Sequence, residues 1–186
     1  MPRLAAPSAR LYQSWRAAHE EWGPGEHEDG FGLRPSDDVS SPEGFAEWVA
    51  GLNDAEAEQR CTYRWIVEGD RVLGGIALRH GWTEYVQWAG HIGYGISPSA
   101  RRHGLGTWAL AQMLNCARDL GMDRVLLVCE PDNRASAATI ERNGGVLEGT
   151  PEGGLEGALE DTPEGTPEGT PDNVHDHGRR YWIELR

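Results

Sequence analysis

Residues 100–109 read ARRHGLGTWA and place two arginines and a histidine directly before two glycines. Gly104 and Gly106 lie where an apolar helical pattern begins, although glycine destabilises a helix interior by roughly 0.5–1 kcal/mol relative to alanine. A helix N-terminus presents unpaired N–H groups and the positive end of the helix dipole, which together attract anions. Glycines remove the Cβ atoms that would hold a phosphate away, and Arg101 and Arg102 add positive charge. The segment predicts a pyrophosphate cradle, with glycines that ease helix–sheet packing as the alternative.

The periodicity of hydrophobic residues predicts the elements that must position this cradle. The predicted helices are 8–22, with Ser8 as N-cap, 41–52, with Ser41 as N-cap, 104–120 and 133–142. The predicted strands are 61–68, 72–78, 88–96, 125–129, a strand that begins at 146, and 180–185. A hairpin followed by strand–helix–strand–helix–strand predicts an α/β protein with a central mixed sheet and helices on both faces.

The charge of the chain is −13 and is unevenly distributed. Residues 20–58 contain twelve acidic residues and one arginine, Arg34, whereas residues 59–147 contain ten arginines and eight acidic residues. This balance argues against a nucleic-acid partner, because such binding depends on Lys and Arg contacts to phosphate. It is compatible with a small anionic ligand at the centre and a cationic substrate near the acidic N-terminal part. Acidic residues that only maintain solubility are the alternative.

The length of 186 residues suits a single domain over 1–186. The three cysteines form no C-x-x-C pair, which favours a reduced cytosolic protein. No apolar run is long enough to span a membrane, and the first ten residues lack the apolar region of a signal peptide. We therefore expect a cytoplasmic protein without a membrane partner.

A low-complexity segment at about 149–177 interrupts the predicted strands. From Thr150 it reads in tetrads such as TPEG, and this composition cannot bury enough apolar surface to offset the entropy of ordering. We interpret it as a solvated acidic loop inserted between two strands. His175 and His177 in this loop do not make a convincing metal site, and Cys129 is interpreted as a small buried residue rather than a nucleophile.

The pattern R-x-x-G-x-G at 101–106 follows a strand that ends in hydrophobic-x-Pro and precedes an amphipathic helix, a buried strand and Asn133. This arrangement resembles the GNAT family of acyl-CoA-dependent N-acyltransferases, most closely across 73–147. Within that family, the stretches ALRHGWTEY, GHIGYGISPSARRHGLG, VLLVCEPDNRASAATIERNGGVLEG and RRYWI are similar to a group of small bacterial acetyltransferases. The resemblance implies the GNAT fold, with its splayed sheet, acetyl-CoA as acyl donor, no metal, and an amine acceptor. It is also compatible with a homodimer.

The resemblance also implies a role for individual residues in holding the acyl donor. Arg101 heads the motif, Arg102 would screen a phosphate, and Ile96 and Ser97 would pair by backbone with the pantetheine arm, next to a bulge made easy by glycines. Asn133 would bond an amide of the cofactor, with Ser136 one turn further on. The backbone N–H groups that would hold the pyrophosphate belong to His103, Gly104, Leu105, Gly106 and Thr107.

The proton chemistry of such a transfer is less well defined by the sequence. An amine acceptor is mostly protonated near neutral pH, so a base or water must remove a proton before attack. His91 occupies the place where several relatives carry a glutamate, although a packed strand histidine is an equal alternative. Tyr94 and Glu84 are the next candidates. Many relatives carry a tyrosine near Ile140 that protonates the leaving thiolate, and this chain has none there.

The leading hypothesis from the sequence is therefore transfer of an acetyl group from acetyl-CoA to a primary amine of a small molecule by direct attack. An acyltransferase with a different acyl donor or an oxygen acceptor is a second hypothesis. A GNAT-fold module that binds acyl-CoA without catalysis is the third.

Overall fold

The computed structural model describes residues 1–23, 30–148 and 178–186. Its α-helices are α1 (Tyr12–Trp22), α2 (Pro42–Ala57), α3 (Glu84–Ala89), α4 (Leu105–Asp119) and α5 (Arg134–Arg142). Its strands are β1 (Arg3–Ala5), β2 (Cys61–Glu68), β3 (Arg71–Arg79), β4 (Ile92–Ile96), β5 (Arg124–Cys129), β6 (Val146–Leu147) and β7 (Arg179–Glu184). The predicted insertion at about 149–177 lies outside the described residues.

The strands form two antiparallel sheets, one of order β1-β2-β3-β4 and one of order β5-β7-β6. One face of the first sheet carries α1 and α2 through an aromatic core in which Trp15, Phe45 and Trp65 are fully buried. The opposite core contains Ile76 and Leu78 of β3, Leu110 of α4 and Ile140 of α5. This arrangement confirms the predicted α/β architecture with helices on both faces. In place of the single mixed sheet that was expected, the five strand pairings among the described residues are all antiparallel and belong to two sheets, because β4 and β5 separate instead of pairing.

The two sheets meet at Gly90 and His91, directly before β4. Gly90 forms an isolated bridge with Leu127. The N–H of His91 donates to the carbonyl of Leu126 at 2.7 Å, while its carbonyl accepts from the N–H of Arg79 at 2.8 Å. Gly90 has a φ of +84°, and a Cβ there would lie 2.8 Å from the Leu126 carbonyl oxygen. Only glycine therefore fits this junction, and β4 and β5 belong to different sheets beyond it.

Two sequence-based assignments need correction. The predicted strand 88–96 begins only at Ile92, because residues 84–89 form α3, which Thr83 caps by accepting the N–H of Val86 at 3.2 Å. Ser8 makes no side-chain cap, and a short 3₁₀ turn precedes α1 instead. By contrast, Ser41 caps α2 as predicted, accepting the N–H of Gly44 at 3.1 Å. In the part of the chain that the structure describes, no helix has the length and apolar character needed to cross a bilayer.

Candidate functional site

The register of β4 decides which of its backbone groups face the gap between the two sheets. Ser97 donates its N–H to the carbonyl of Leu73 on β3 at 2.9 Å, and the same alternation pairs Gly95 and Gly93 with β3. The N–H and C=O groups of Tyr94 and Ile96 therefore face the gap, which we call the cleft. Ser97 does not present its N–H to the cleft, in contrast to the sequence-based expectation, whereas Ile96 does.

The turn between β4 and α4 builds a concave backbone surface at the end of the cleft. Arg102 and Gly104 both adopt left-handed conformations, with φ values of +65° and +75°. None of the N–H groups of residues 102–107 has an acceptor among the described residues. A Cβ on Gly104 would point into open space. Left-handed residues in a turn before a helix orient successive N–H groups toward one point, which makes an anion-binding concavity.

The side chains of the cradle divide into those that face solvent and those that support the turn. Arg101 folds back, donating from Nε to the carbonyl of Ile96 at 3.0 Å and lying over the ring of Trp22. Arg102 is exposed. Nδ1 of His103 lies 3.3 Å from the carbonyl of Ala100. Leu105 packs against the core, and the carbonyl of Thr107 accepts from Asn143 at 3.2 Å, which ties α4 to α5.

The opposite wall of the cleft is the start of α5. Oδ1 of Asn133 accepts the N–H of Ser136 at 3.0 Å and caps the helix, which leaves its Nδ2 group to donate elsewhere. The hydroxyl of Tyr94 reaches across from β4 and lies 2.8 Å from the hydroxyl of Ser136. The structure thus brings together Tyr94, Asn133 and Ser136. Ile140 is buried in the core, so α5 offers no hydroxyl there.

His91 is placed where its imidazole supports the sheet junction. The side chain is 5 % exposed, and Nδ1 accepts the N–H of Leu126 at 2.9 Å. Burial, with smaller contributions from the positive charges of Arg79 and Arg124, lowers the pKa of His91 to about 4. The imidazole is therefore neutral near pH 7, and its one lone-pair nitrogen is already used. This geometry argues against the hypothesis that His91 is the base.

Glu84, the remaining candidate base, is exposed in the first turn of α3. Its carboxylate has no hydrogen-bond or ion-pair partner among the described residues, and the structure does not bring it to Tyr94 or His91. Nor do the described residues contain a group of three or more His, Cys, Asp or Glu side chains that could hold a metal ion. His175 and His177 lie outside the described residues.

A cavity of about 350 Å³ lies on the sheet face that carries α1 and α2, and one of its lining residues, Arg79, borders β4. The guanidinium of Arg79 lines it and also lies over Gly93, where a Cβ would be 3.4 Å from Nη2. This cavity could not be predicted from the sequence, because its lining residues come from three separate segments, 32–34, 60–63 and 79–86, and form no local motif. The described site thus has a cleft with an anion cradle on one side and a cavity on the other.

Comparison with known proteins places this geometry in a family context. A family model described as an acetyltransferase (GNAT) domain matches residues 6–146. No curated protein matches the sequence.

Solved structures with a similar fold include acetyltransferases that hold coenzyme A. RimL, a ribosomal L7/L12 alpha-N-protein acetyltransferase in complex with coenzyme A, is 19% identical, with a TM-score of 0.67 over 98% of this chain and 93% of that chain. MccE, a microcin C7 self-immunity acetyltransferase in complex with acetyl-CoA and AMP, is 15% identical, with a TM-score of 0.65 over 98% and 92%. RimJ of Mycobacterium smegmatis, in complex with CoA-disulfide, is 18% identical, with a TM-score of 0.65 over 98% and 81%. At these identities the likeness concerns the fold.

The position of His91 predicts a specific dependence of stability on pH. Between its ordinary pKa of 6.5 and the folded value of about 4, the unfolded chain binds more protons at this imidazole than the folded chain does. The free energy of unfolding should therefore fall as pH decreases through this window, by up to about 3 kcal/mol. Urea denaturation at pH 7.5, 6 and 5 measures it.

Two variants make this test specific. His91→Asn keeps an oxygen acceptor for the N–H of Leu126 and cannot titrate, so its stability should change less between pH 7.5 and 5 than that of the wild type. His91→Ala leaves that N–H without a partner and should lose about 1–3 kcal/mol at pH 7.5. If the free energy of unfolding of His91→Asn falls between pH 7.5 and 5 as much as that of the wild type, the buried imidazole of His91 is not the cause of the pH dependence.

Proposed function

The chain belongs to the GNAT acetyltransferase family, and from this premise we propose that it transfers the acetyl group of acetyl-CoA to a primary amine by direct attack. The observation that carries the proposal is the set of N–H groups of residues 102–107, which have no acceptor among the described residues, at the end of a strand whose Tyr94 and Ile96 backbone groups face the cleft. The residues present fit acetyl-CoA, because a polyphosphate and a peptide-like arm need such groups.

Different residues bind the pyrophosphate and the pantetheine arm of the acyl donor. The N–H groups of 102–107 and the guanidinium of Arg102 hold the pyrophosphate, and Nδ2 of Asn133 donates to an amide of the arm. The backbone of Tyr94 and Ile96 pairs with the arm as an added strand, with the Ile96 carbonyl released from Arg101. When bound, acetyl-CoA supplies an acetyl group activated as a thioester.

The hydroxyl pair of Tyr94 and Ser136 is proposed to protonate the leaving sulfur. The amine nitrogen forms a bond to the acetyl carbon, the carbon–sulfur bond breaks, and the thiolate needs a proton. The two hydroxyls lie 2.8 Å apart across the cleft, so the phenol of Tyr94, a much stronger acid than the serine hydroxyl, donates the proton while the hydroxyl of Ser136 stabilises the phenolate that remains. This pair would replace the tyrosine that is missing at Ile140.

The amine is proposed to lose its proton to water. Nδ1 of His91 is engaged with Leu126, and burial raises the pKa of both the Tyr63 phenol and the Cys61 thiol in the adjacent cavity. All three groups are thus poor proton acceptors near pH 7. The rate then depends on how well the site positions the neutral amine.

A small molecule is the proposed acceptor, since the cavity beside Gly93 has a volume of about 350 Å³. A protein N-terminus is the second candidate. It is favoured by the neighbour RimL, whose description names a ribosomal protein as the molecule acetylated.

Release of free thiol from acetyl-CoA, measured with a panel of small amines and of short peptides, tests this function directly. We expect turnover with at least one primary amine, and turnover confined to peptides would move the assignment to a protein substrate. Binding of acetyl-CoA without thiol release for any acceptor would contradict the proposed transfer.

Gly106→Val should weaken acetyl-CoA binding by at least about tenfold, because its methyl groups would press on the side chains of Tyr94, Ile96 and Thr139 and displace the start of α4 from β4. Gly106→Ala is the matched control. Its Cβ would make ordinary contacts of 3.7–3.9 Å, and alanine favours the helix. Calorimetric titration measures both, and equal affinity of the Val variant and the wild type would rule out this cleft. Gly104 is less suitable, because its positive φ strains any larger residue.

Ser136→Ala and Tyr94→Phe should each lower kcat by about 10²-fold and leave the affinity for acetyl-CoA almost unchanged. Each substitution removes one hydroxyl of the pair and keeps the shape of the side chain. Steady-state kinetics and titration separate the two effects. If both variants keep the wild-type kcat, the thiolate leaves without a protein proton donor.

A further inference from the structure

We propose that the cavity beside β4 binds an anionic group, a carboxylate or a phosphate, carried by the amine acceptor itself. This inference rests on the proposed function, because it identifies the acceptor side of that site. It concerns the cavity lined by Arg34, Arg60, Cys61, Tyr63, Arg79 and Tyr85, together with Gly32, Leu33, Gly81, Thr83 and Val86.

Three arginines and no acidic residue line this cavity among the described residues. The guanidinium of Arg34 has no hydrogen-bond or ion-pair partner in the described part of the chain. Arg60 pairs with Glu58, which is exposed and lies outside the lining. Because arginine presents a planar fork of donors that matches carboxylate and phosphate oxygens, this lining favours an anion.

Arg79 connects the cavity to the reaction cleft. Its Nη1 donates to the carbonyl of Gly90 at 2.9 Å, and its guanidinium lies 4.8 Å from the centre of the Tyr85 ring. These contacts fix the charge over Gly93, the residue before Tyr94 on β4. An acceptor bound through its anionic group in this cavity is therefore held next to the strand that would carry the thioester.

The neutral polar groups of the cavity are compatible with the same ligand. Burial raises the pKa of the Tyr63 phenol and of the Cys61 thiol, so both stay protonated and add no negative charge. The two side chains hydrogen-bond to each other, so the pair offers a neutral polar wall beside the arginines.

A second cavity of similar volume adjoins the first through Gly32 and Arg34 and has the opposite character. Asp37, Asp38 and Glu47 line it. The sequence-based expectation of a cationic substrate rested on the twelve acidic residues of 20–58, which include these three. The cavity next to β4 is the arginine-lined one, however, and the anionic group is accordingly assigned there.

Matched pairs of amines test the proposal. O-phosphoethanolamine is compared with ethanolamine, β-alanine with its amide, and a peptide with aspartate at position 2 with its asparagine counterpart. Binding is measured by titration calorimetry of the protein without acetyl-CoA, and turnover by thiol release. We expect the anionic member of at least one pair to bind at least about tenfold more tightly than its neutral partner.

Variants then assign the preference to the cavity. Arg34→Met removes an exposed guanidinium with no described partner, so it should reduce the preference by at least about tenfold without lowering the melting temperature. Arg10→Met, an exposed arginine in the turn before α1, is the control and should change nothing. Arg79→Met should also reduce the preference, and its melting temperature shows whether the loss is structural.

The outcomes separate the two proposals. Neutral amines that bind and turn over as well as anionic ones would overturn the anion site while the acetyl transfer stands. Anionic amines that bind through Arg34 without any thiol release would sustain the site and overturn the acetyl transfer. If Arg34→Met and Arg79→Met both keep the preference for anionic over neutral amines, the anion does not bind in this cavity.

Discussion

The junction at Gly90 and His91 is the constraint on which the rest of the structure depends. Three hydrogen bonds converge on residue 91: its N–H and its Nδ1 atom hold Leu126 of β5, and its carbonyl holds Arg79 of β3. The positive φ of Gly90 and the proximity of the Leu126 carbonyl leave no room for a side chain there. The two sheets are thus joined at the start of β4 and diverge beyond it, and this divergence creates the cleft.

The edge of β4 that faces away from β3 presents backbone N–H and C=O groups to the cleft, and such groups need partners inside a protein. In β4 these groups belong to Tyr94 and Ile96, and Arg101 already satisfies the Ile96 carbonyl in part. The cleft continues into the unpaired N–H groups of 102–107, so strand edge and cradle form one polar surface. A ligand with a peptide-like arm and phosphates satisfies both parts at once. The arginine-lined cavity borders the same strand through Arg79, which lies over Gly93.

Much of the fold and of the cradle can be predicted from the sequence, and individual residues show why other parts of the site cannot. R-x-x-G-x-G predicted the cradle, since positive charge and missing Cβ atoms are local properties. Asn133 and Ser136 were implied by the family resemblance, because both positions stand at the start of a helix that the local pattern also predicts. The structural role of His91 could not be predicted, because its partner Leu126 lies 35 residues away. A histidine that packs in a strand and a histidine that acts as a base have the same local sequence pattern. The cavity could not be predicted for the same reason, because its lining residues are distant from one another in the sequence. Trp88 lies in α3 and not in the predicted strand, because a six-residue helix shows too little periodicity to be recognised.

The central claim is that the cleft-facing edge of β4 receives the arm of acetyl-CoA as an added strand. Residue-resolved amide hydrogen exchange, with and without acetyl-CoA, tests it most directly. We expect slower exchange on binding at the N–H groups of Tyr94, Ile96 and residues 102–107. The N–H groups of Gly93 and Gly95, which already pair with β3, should change little. Tight binding of acetyl-CoA with unchanged exchange at Tyr94 and Ile96 would contradict the account.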